Sequence, residues 1–284
     1  MNALFHHDTV VAVLGSGSRG NCTYIGDGRR GVLVDCGLST RQITRRMADV
    51  GLEGAPIDAV FVTHEHADHV AAAGVLDRAL FKRTGARVPF YMTHGTARGL
   101  NPKVRPTRIE ELRAGSTVAL GPLRISAHAV PHDTREPVGF AVQTPGARVG
   151  VITDLGRSTR LVEQVLSTLD VAVLEFNHDP QMLRDGPYPW QLKQRIRSPH
   201  GHLSNEQAAG LLTRGVSERL RHVVLPQLAP FFAATGATSS SVVTILAWWS
   251  WWLWDWMSVL SLLSCSRNAR TRSFWYSFST PGVK

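Results

Sequence analysis

Residues 58–74 read DAVFVTHEHADHVAAAG, and the residues at positions 64, 65, 66, 68 and 69 carry an imidazole or a carboxylate. Neutral imidazole and carboxylate are the donors that zinc, manganese and iron select. A lone histidine here would read as a solvated polar turn. The H-x-H-x-D-H spacing of His64, His66, Asp68 and His69 points to a metal site instead. The run Val60–Thr63 just before it reads as a strand, so the histidines begin where that strand ends. Alternate side chains of an extended chain point the same way, which lets His64 and His66 reach one ion. Asp68 and His69 follow at the start of a helical pattern and could reach a second ion beside the first.

The elements that must position these groups are legible as short apolar runs over 10–15, 31–37, 59–64, 88–93, 123–130, 139–144, 148–154, 171–177 and 222–226. Helical patterns fall between some of them, over 39–51, 68–85, 158–170 and 204–216. The first opens on a Ser/Thr cap and closes on Gly51, and the second closes on Gly85. Clustered strands with helices interspersed predict α/β layers around buried sheets.

The chain has 284 residues and is 43% hydrophobic, enough for one large domain with a full core. Its net charge of +9 and pI near 10.2 favour anionic partners, although the arginines are spread along the chain. Three cysteines at no metal-like spacing, and an N-terminus without a signal-peptide pattern, lead us to expect a reduced, cytoplasmic protein. The composition changes near residue 230: all 12 histidines precede residue 223, whereas Trp190 is the sole tryptophan before residue 248 out of 8. We therefore expect a hydrolase domain over 1–230 and an atypical Trp-rich apolar tail over 231–284.

THEHADH resembles the signature of the metallo-β-lactamase superfamily. GSGSRGN, LVDCGLS, FVTHEHADH, VPHDTREPVGF, ITDLG, LEFNHDPQMLRDGPYPWQLKQRI and GHLSN, in that order over roughly 10–225, resemble its YycJ/WalJ-like hydrolase branch. The resemblance implies a four-layer αββα sandwich with a two-metal site on one edge, its C-terminal part incomplete or disordered here. It places His64, His66 and His132 on the first metal, Asp68 and His69 on the second, and Asp154 between both. The residues agree, since His132 and Asp154 also stand just after β-type runs. Asp35 resembles the buried carboxylate that orients a ligand histidine. Two adjacent zinc or manganese ions would lower the pKa of a shared water, giving a metal-bridging hydroxide that Asp68 or Asp154 could orient. His178 and His202 are the candidate proton donors to the leaving group.

The branch implies a DNA exonuclease acting from the 5′ end. GSGSRGN could offer backbone N–H groups to an anion. Arg184, Lys193, Arg195 and Arg197 could track a phosphate backbone, with Tyr188 or Trp190 as a stacking surface. A small-ester, thioester or lactone hydrolase would use nearly the same metal site, and an inactive metal-binding relic is the reading from another class. The family's last ligand histidine is replaced by Gln227, a poor donor to such ions. Beyond it, residues 241–263 can be read as a membrane anchor, as a buried or partner-binding helix, or as translation out of frame. The coincident loss of family pattern and histidine and the rise in tryptophan favour the last, so no membrane association is expected.

Overall fold

The structure is a computed structural model and describes residues 4–6, 9–215 and 219–224. Gln227, the apolar run 241–263 and the tail 231–284 lie outside the described residues.

Among the described residues the chain forms two mixed sheets. The first, in spatial order, is β1 (Leu4–His6), β2 (Thr9–Gly15), β3 (Cys22–Gly26), β4 (Gly31–Val34), β5 (Ala59–Phe61), β6 (Phe90–Thr93) and β7 (Ile109–Leu112). The second runs β13 (His222–Val224), β12 (Val171–Leu174), β11 (Arg148–Ile152), β10 (Val138–Gln143), β9 (Leu123–Ala129) and β8 (Thr117–Leu120). Helices α1 (Thr40–Asp49), α2 (Ala67–Val70), α3 (Ala73–Thr84) and α4 (His94–Gly99) follow strands of the first sheet. Helices α5 (Arg160–Leu166), α6 (Pro180–Asp185), α7 (Trp190–Ile196) and α8 (Asn205–Gly215) follow strands of the second.

The layering follows from strand periodicity. Side chains alternate faces along a strand, and both faces of these strands are apolar. Val32, Val34 and Phe61 point between the sheets, where they meet Ile125, Phe140, Val142, Val149 and Val171. Their neighbours Leu33, Val60 and Val62 point the other way, onto Ile43 and Met47 of α1 and Leu76 and Leu80 of α3. In the second sheet Ala141, Ala172 and Leu174 face Val162 and Leu166 of α5 and Ala208 and Leu211 of α8. Three apolar interfaces between four layers make the αββα sandwich that the motifs imply.

The predicted helix 39–51 forms as α1, with Ser39 and Gln42 in a reciprocal capping box and Gly51 at φ 75. The helix expected over 68–85 does not form as one piece. Asp68 O accepts from Asn21 N at 2.7 Å, His69 O accepts from Cys36 N at 2.8 Å, and Ala72 N donates to Cys36 O at 3.0 Å. Groups that would carry the helical ladder are bonded to neighbouring loops, so α2 stops and α3 starts afresh at Ala73. The pattern reading also passed over β3, the half-exposed edge strands β7 and β8, and the short helices α4, α6 and α7.

Candidate metal centre

Strand direction brings the motif residues to one edge. β4 and β5 are parallel, so Asp35 and His64 leave the first sheet on the same side. In the second sheet β11 and β12 are parallel, and β9 shares their direction because each neighbours β10 antiparallel. Their C-terminal ends therefore deliver His132, Asp154 and Glu175 together. Asp35 and Asp154 are the non-glycine residues with positive φ among the described residues, at 62 and 58. Asp tolerates this left-handed conformation, which carries about 1–2 kcal/mol of strain for an L-residue, and such strain gathers at functional sites.

Among the described residues, six side chains form three overlapping groups with ligand atoms within 4.8 Å of one another: His64, His66 and His132; His64, His69 and Asp154; and His132, Asp154 and His202. His66 Nδ1 lies 3.1 Å from His64 Nε2 and 3.3 Å from His132 Nε2. Asp154 Oδ2 lies 3.2 Å from His69 Nε2, and its Oδ1 lies 3.4 Å from His202 Nδ1. Asp68 stands outside these groups, its Oδ2 3.6 Å from His69 Nε2. His178 is also outside them; it is half-buried, and its Nδ1 has no hydrogen-bond partner among the described residues.

The groups around the rings assign their tautomers. His132 Nδ1 donates to Gly201 O at 3.1 Å, and His64 Nδ1 donates to Thr63 Oγ1 at 3.0 Å. His69 Nδ1 donates to the buried Asp35 Oδ2 at 2.8 Å. Each of these bonds puts a hydrogen on the outer nitrogen and turns the inner nitrogen toward the cluster, the orientation that metal-ligating histidines require. The donor set thus fits divalent ions.

Burial and neighbouring charges move these groups in opposite directions. Burial, reinforced by the neighbouring His69, holds His64 well below the usual imidazole range, so it stays neutral. Burial opposes charge on His69 too, but Asp35 and Asp154 outweigh it and hold that ring well above its ordinary value. Burial likewise pushes Asp154 up, and His69, His64 and His202 overcome it, leaving a carboxylate well below the usual range. Burial opposes charge on His202, but Glu175 and Asp154 outweigh it and raise the ring above its ordinary value. Burial, then the charges of His202 and Arg197, lower His178 to about 4, so this ring is neutral at pH 7.

Residues that pattern reasoning passed over support the site. Asn21 Nδ2 lies 2.9 Å from His69 Nε2 and 3.2 Å from Asp68 Oδ2. Glu175 accepts from Leu155 N at 2.5 Å, Leu203 N at 3.2 Å and His202 Nδ1 at 3.0 Å, tying the Asp154 loop to the His202 loop. Thr63 Oγ1 donates to Asp35, and Asp133 contacts both His132 and His66. Asn21 and Glu175 lay inside quoted motifs, but nothing in their spacing marked them. In the GSGSRGN turn the amides of Gly17, Gly20 and Asn21 bond within the protein, as in a tight strand connection, rather than facing an anion.

Tyr188, in the loop between α6 and α7, and Trp190, the first residue of α7, are exposed, at 54% and 60%. Arg184 pairs with Asp185, and Lys193 Nζ donates to Arg184 O at 2.7 Å. Arg195 pairs with Asp133, and Arg197 is exposed. Among the described residues no helix is long and apolar enough to cross a membrane.

The family model for the beta-lactamase superfamily domain matches residues 30–221. The chain is 32% identical over 217 residues to the exodeoxyribonuclease WalJ of Streptococcus pneumoniae, covering 76% of this chain and 80% of that protein. It is 31% identical over 220 residues to the exodeoxyribonuclease YycJ of Bacillus anthracis, covering 76% and 81%. Among solved structures it resembles zinc-bound PqqB from Methylobacterium extorquens, with a TM-score of 0.56 at 19% identity over 75% of this chain and 87% of that one. The sandwich, the histidine–aspartate cluster and these matches together establish that the chain is a metal-dependent hydrolase belonging to the metallo-β-lactamase superfamily.

Proposed function

We propose that this hydrolase is a dinuclear phosphodiesterase that removes nucleotides from DNA as a 5′ exonuclease. The observation that carries the two-metal reading is Asp154. One buried carboxylate addresses His69 with Oδ2 and His202 with Oδ1, and it belongs to two of the three ligand groups. His64, His66 and His132 would hold one ion, and Asp68 and His69 with the shared Asp154 would hold the other. When bound, zinc or manganese at these positions supplies Lewis acidity that lowers the pKa of water and neutralises charge on the phosphate. Asp35, Thr63 and Gly201 keep the imidazoles in the required tautomers. His202, whose Nδ1 bonds Glu175 and whose charged form Glu175 favours, is our candidate proton donor to the leaving alkoxide, with His178 as a neutral ring. Similarity to two exodeoxyribonucleases supports DNA as the substrate. A cytoplasmic location suits that substrate. We assign this activity to residues 1–230 and leave 231–284 as a separate tail.

The test begins with metal per chain by mass spectrometry after reconstitution with zinc or manganese. Two ions, followed by metal-dependent shortening of 5′-labelled duplex DNA that His66→Ala abolishes, is the expected result. A single ion would show that the second site is incomplete. Turnover of thioesters or lactones with no action on DNA, insensitive to salt, would replace this reading by the small-ester one.

A further inference from the structure

Asp133 connects the ligand cluster to a cation that the motif does not include. Its Oδ1 lies 3.4 Å from His132 Nε2 and 3.8 Å from His66 Nε2, and its Oδ2 accepts from Arg195 Nε. The other end of that guanidinium, Nη2, stands 3.4 Å from His66 Nε2. Arg195 is thus held against the outer nitrogen of a ring whose inner nitrogen faces the cluster.

Stability does not explain this placement. Helix α7 buries none of its side chains, and the Arg195 side chain is 56% exposed. An exposed ion pair adds little to folding. What the pair does is fix a long, flexible cation at the mouth of the ligand cluster. The loop after α7 is tied to the same place, since His202 N donates to Ile196 O at 2.8 Å and His132 bonds Gly201 O.

Tautomer logic says what that cation lacks. With Nδ1 of His66 committed to a metal, its Nε2 carries the hydrogen. Arg195 Nη2 then faces a donor, and a guanidinium offers five N–H groups and no acceptor. Asp133 accepts from Nε, which leaves the Nη groups beside His66 open to solvent and free to receive an anion.

We propose that Arg195 seats the phosphate of the substrate: fixed by Asp133 through Nε, it donates through its Nη groups to a non-bridging phosphodiester oxygen lying on the cluster. The inference rests on the phosphodiesterase reading and names a substrate-positioning residue within it. The planar fork matches a phosphate. The same segment displays Tyr188 and Trp190 to solvent, a combination of cation and aromatic surface suited to a single strand.

The experiment uses the full chain loaded with manganese, as wild type, Arg195→Gln, Arg195→Lys and Asp133→Asn. Arg108→Gln is the charge control; this side chain pairs with Glu110 on β7, away from the site. Metal per chain, anisotropy of a fluorescent single-stranded oligonucleotide across salt, and KM and kcat on bis(p-nitrophenyl) phosphate are read. Arg195→Gln should keep its metal, weaken oligonucleotide binding about tenfold, reduce the salt slope by about one and raise KM more than it lowers kcat. Arg195→Lys should fall between, Asp133→Asn should shift the same way, and Arg108→Gln should change nothing. Unchanged affinity in Arg195→Gln, or loss of its metal, would overturn the proposal in favour of a purely structural pair. A wild type that binds the oligonucleotide through Arg195 but cleaves no diester would sink the hydrolytic reading and uphold the anion seat. A wild type that binds no oligonucleotide would sink both.

Discussion

His69 Nδ1 lies 2.8 Å from Asp35 Oδ2, and both side chains are shut off from solvent. The carboxylate also accepts from Thr63 N at 2.9 Å, so one residue after β4 orients a ring offered from beyond β5. Burial pushes Asp35 above the usual carboxylate range against the pull of His69 and Thr63. Replacing it with Ala frees the His69 ring and orphans the Thr63 amide. Metal affinity should fall by roughly 10–100-fold, as for other partners of ligand histidines. Competition with a chromophoric chelator measures this, and unchanged affinity would remove Asp35 from ligand orientation.

The shared position of Asp154 makes ligand deletions unequal. His69→Ala should lose one ion per chain and keep the other, because His64, His66 and His132 form a group without it. Asp154→Ala should weaken both ions together. Mass spectrometry of the intact chain under native conditions counts the ions, and identical losses in the two variants would reject the bridging role.

Gly37 marks the closest approach in the site. A Cβ there would sit 1.6 Å from Asp68 O and 2.2 Å from Asp68 C. Gly37→Ala must therefore push away the backbone that carries Asp68 and His69. We expect destabilisation at or above the upper end of the about 1–3 kcal/mol typical of overpacking, together with loss of metal. Urea unfolding supplies the first quantity, and a stable, metal-replete variant would contradict the packing argument.

Asp77 offers a pH dependence away from the metal centre. Its Oδ2 accepts from Thr107 N at 2.9 Å, Thr107 Oγ1 at 2.6 Å and Arg87 Nη1 at 3.1 Å. Burial raises the carboxyl, but these partners outweigh it and hold it below the ordinary value. A depressed folded pKa contributes stability above the unfolded value of about 4, and that contribution is lost as pH falls through the folded pKa. Asp77→Asn should lower stability at pH 7 by roughly 1.5–3 kcal/mol and flatten the acid limb of the stability profile. Parallel acid limbs in the two proteins would show that Asp77 does not titrate this way.

The α/β class and most of the buried strands were legible because strands covered on both faces appear as short continuous apolar runs between turns. The motif histidines were legible because their types and spacing are rare outside metal sites. Helix α1 was legible to its cap, since Ser39, Gln42 and Gly51 act locally. The break between α2 and α3 was not, because Asn21 and Cys36, far away in sequence, take up the groups that would have continued the helix. β7 and β8, half-exposed at the edges of their sheets, lacked the strong apolar signal that reveals buried strands.

The sequence by itself determined the donor chemistry: which imidazoles and carboxylates exist, and that they follow strands. Only the tertiary structure decided which nitrogen of each ring faces the cluster, because Thr63, Asp35 and Gly201 make that choice through single hydrogen bonds. It alone brought Asn21, Asp133, Glu175 and Arg195 to the cluster, from as far as 129 residues away in the case of Arg195 and His66. Spacing along a chain constrains neighbours on one strand or helix. Contacts across two sheets depend on how those sheets pack, and no local pattern encodes that.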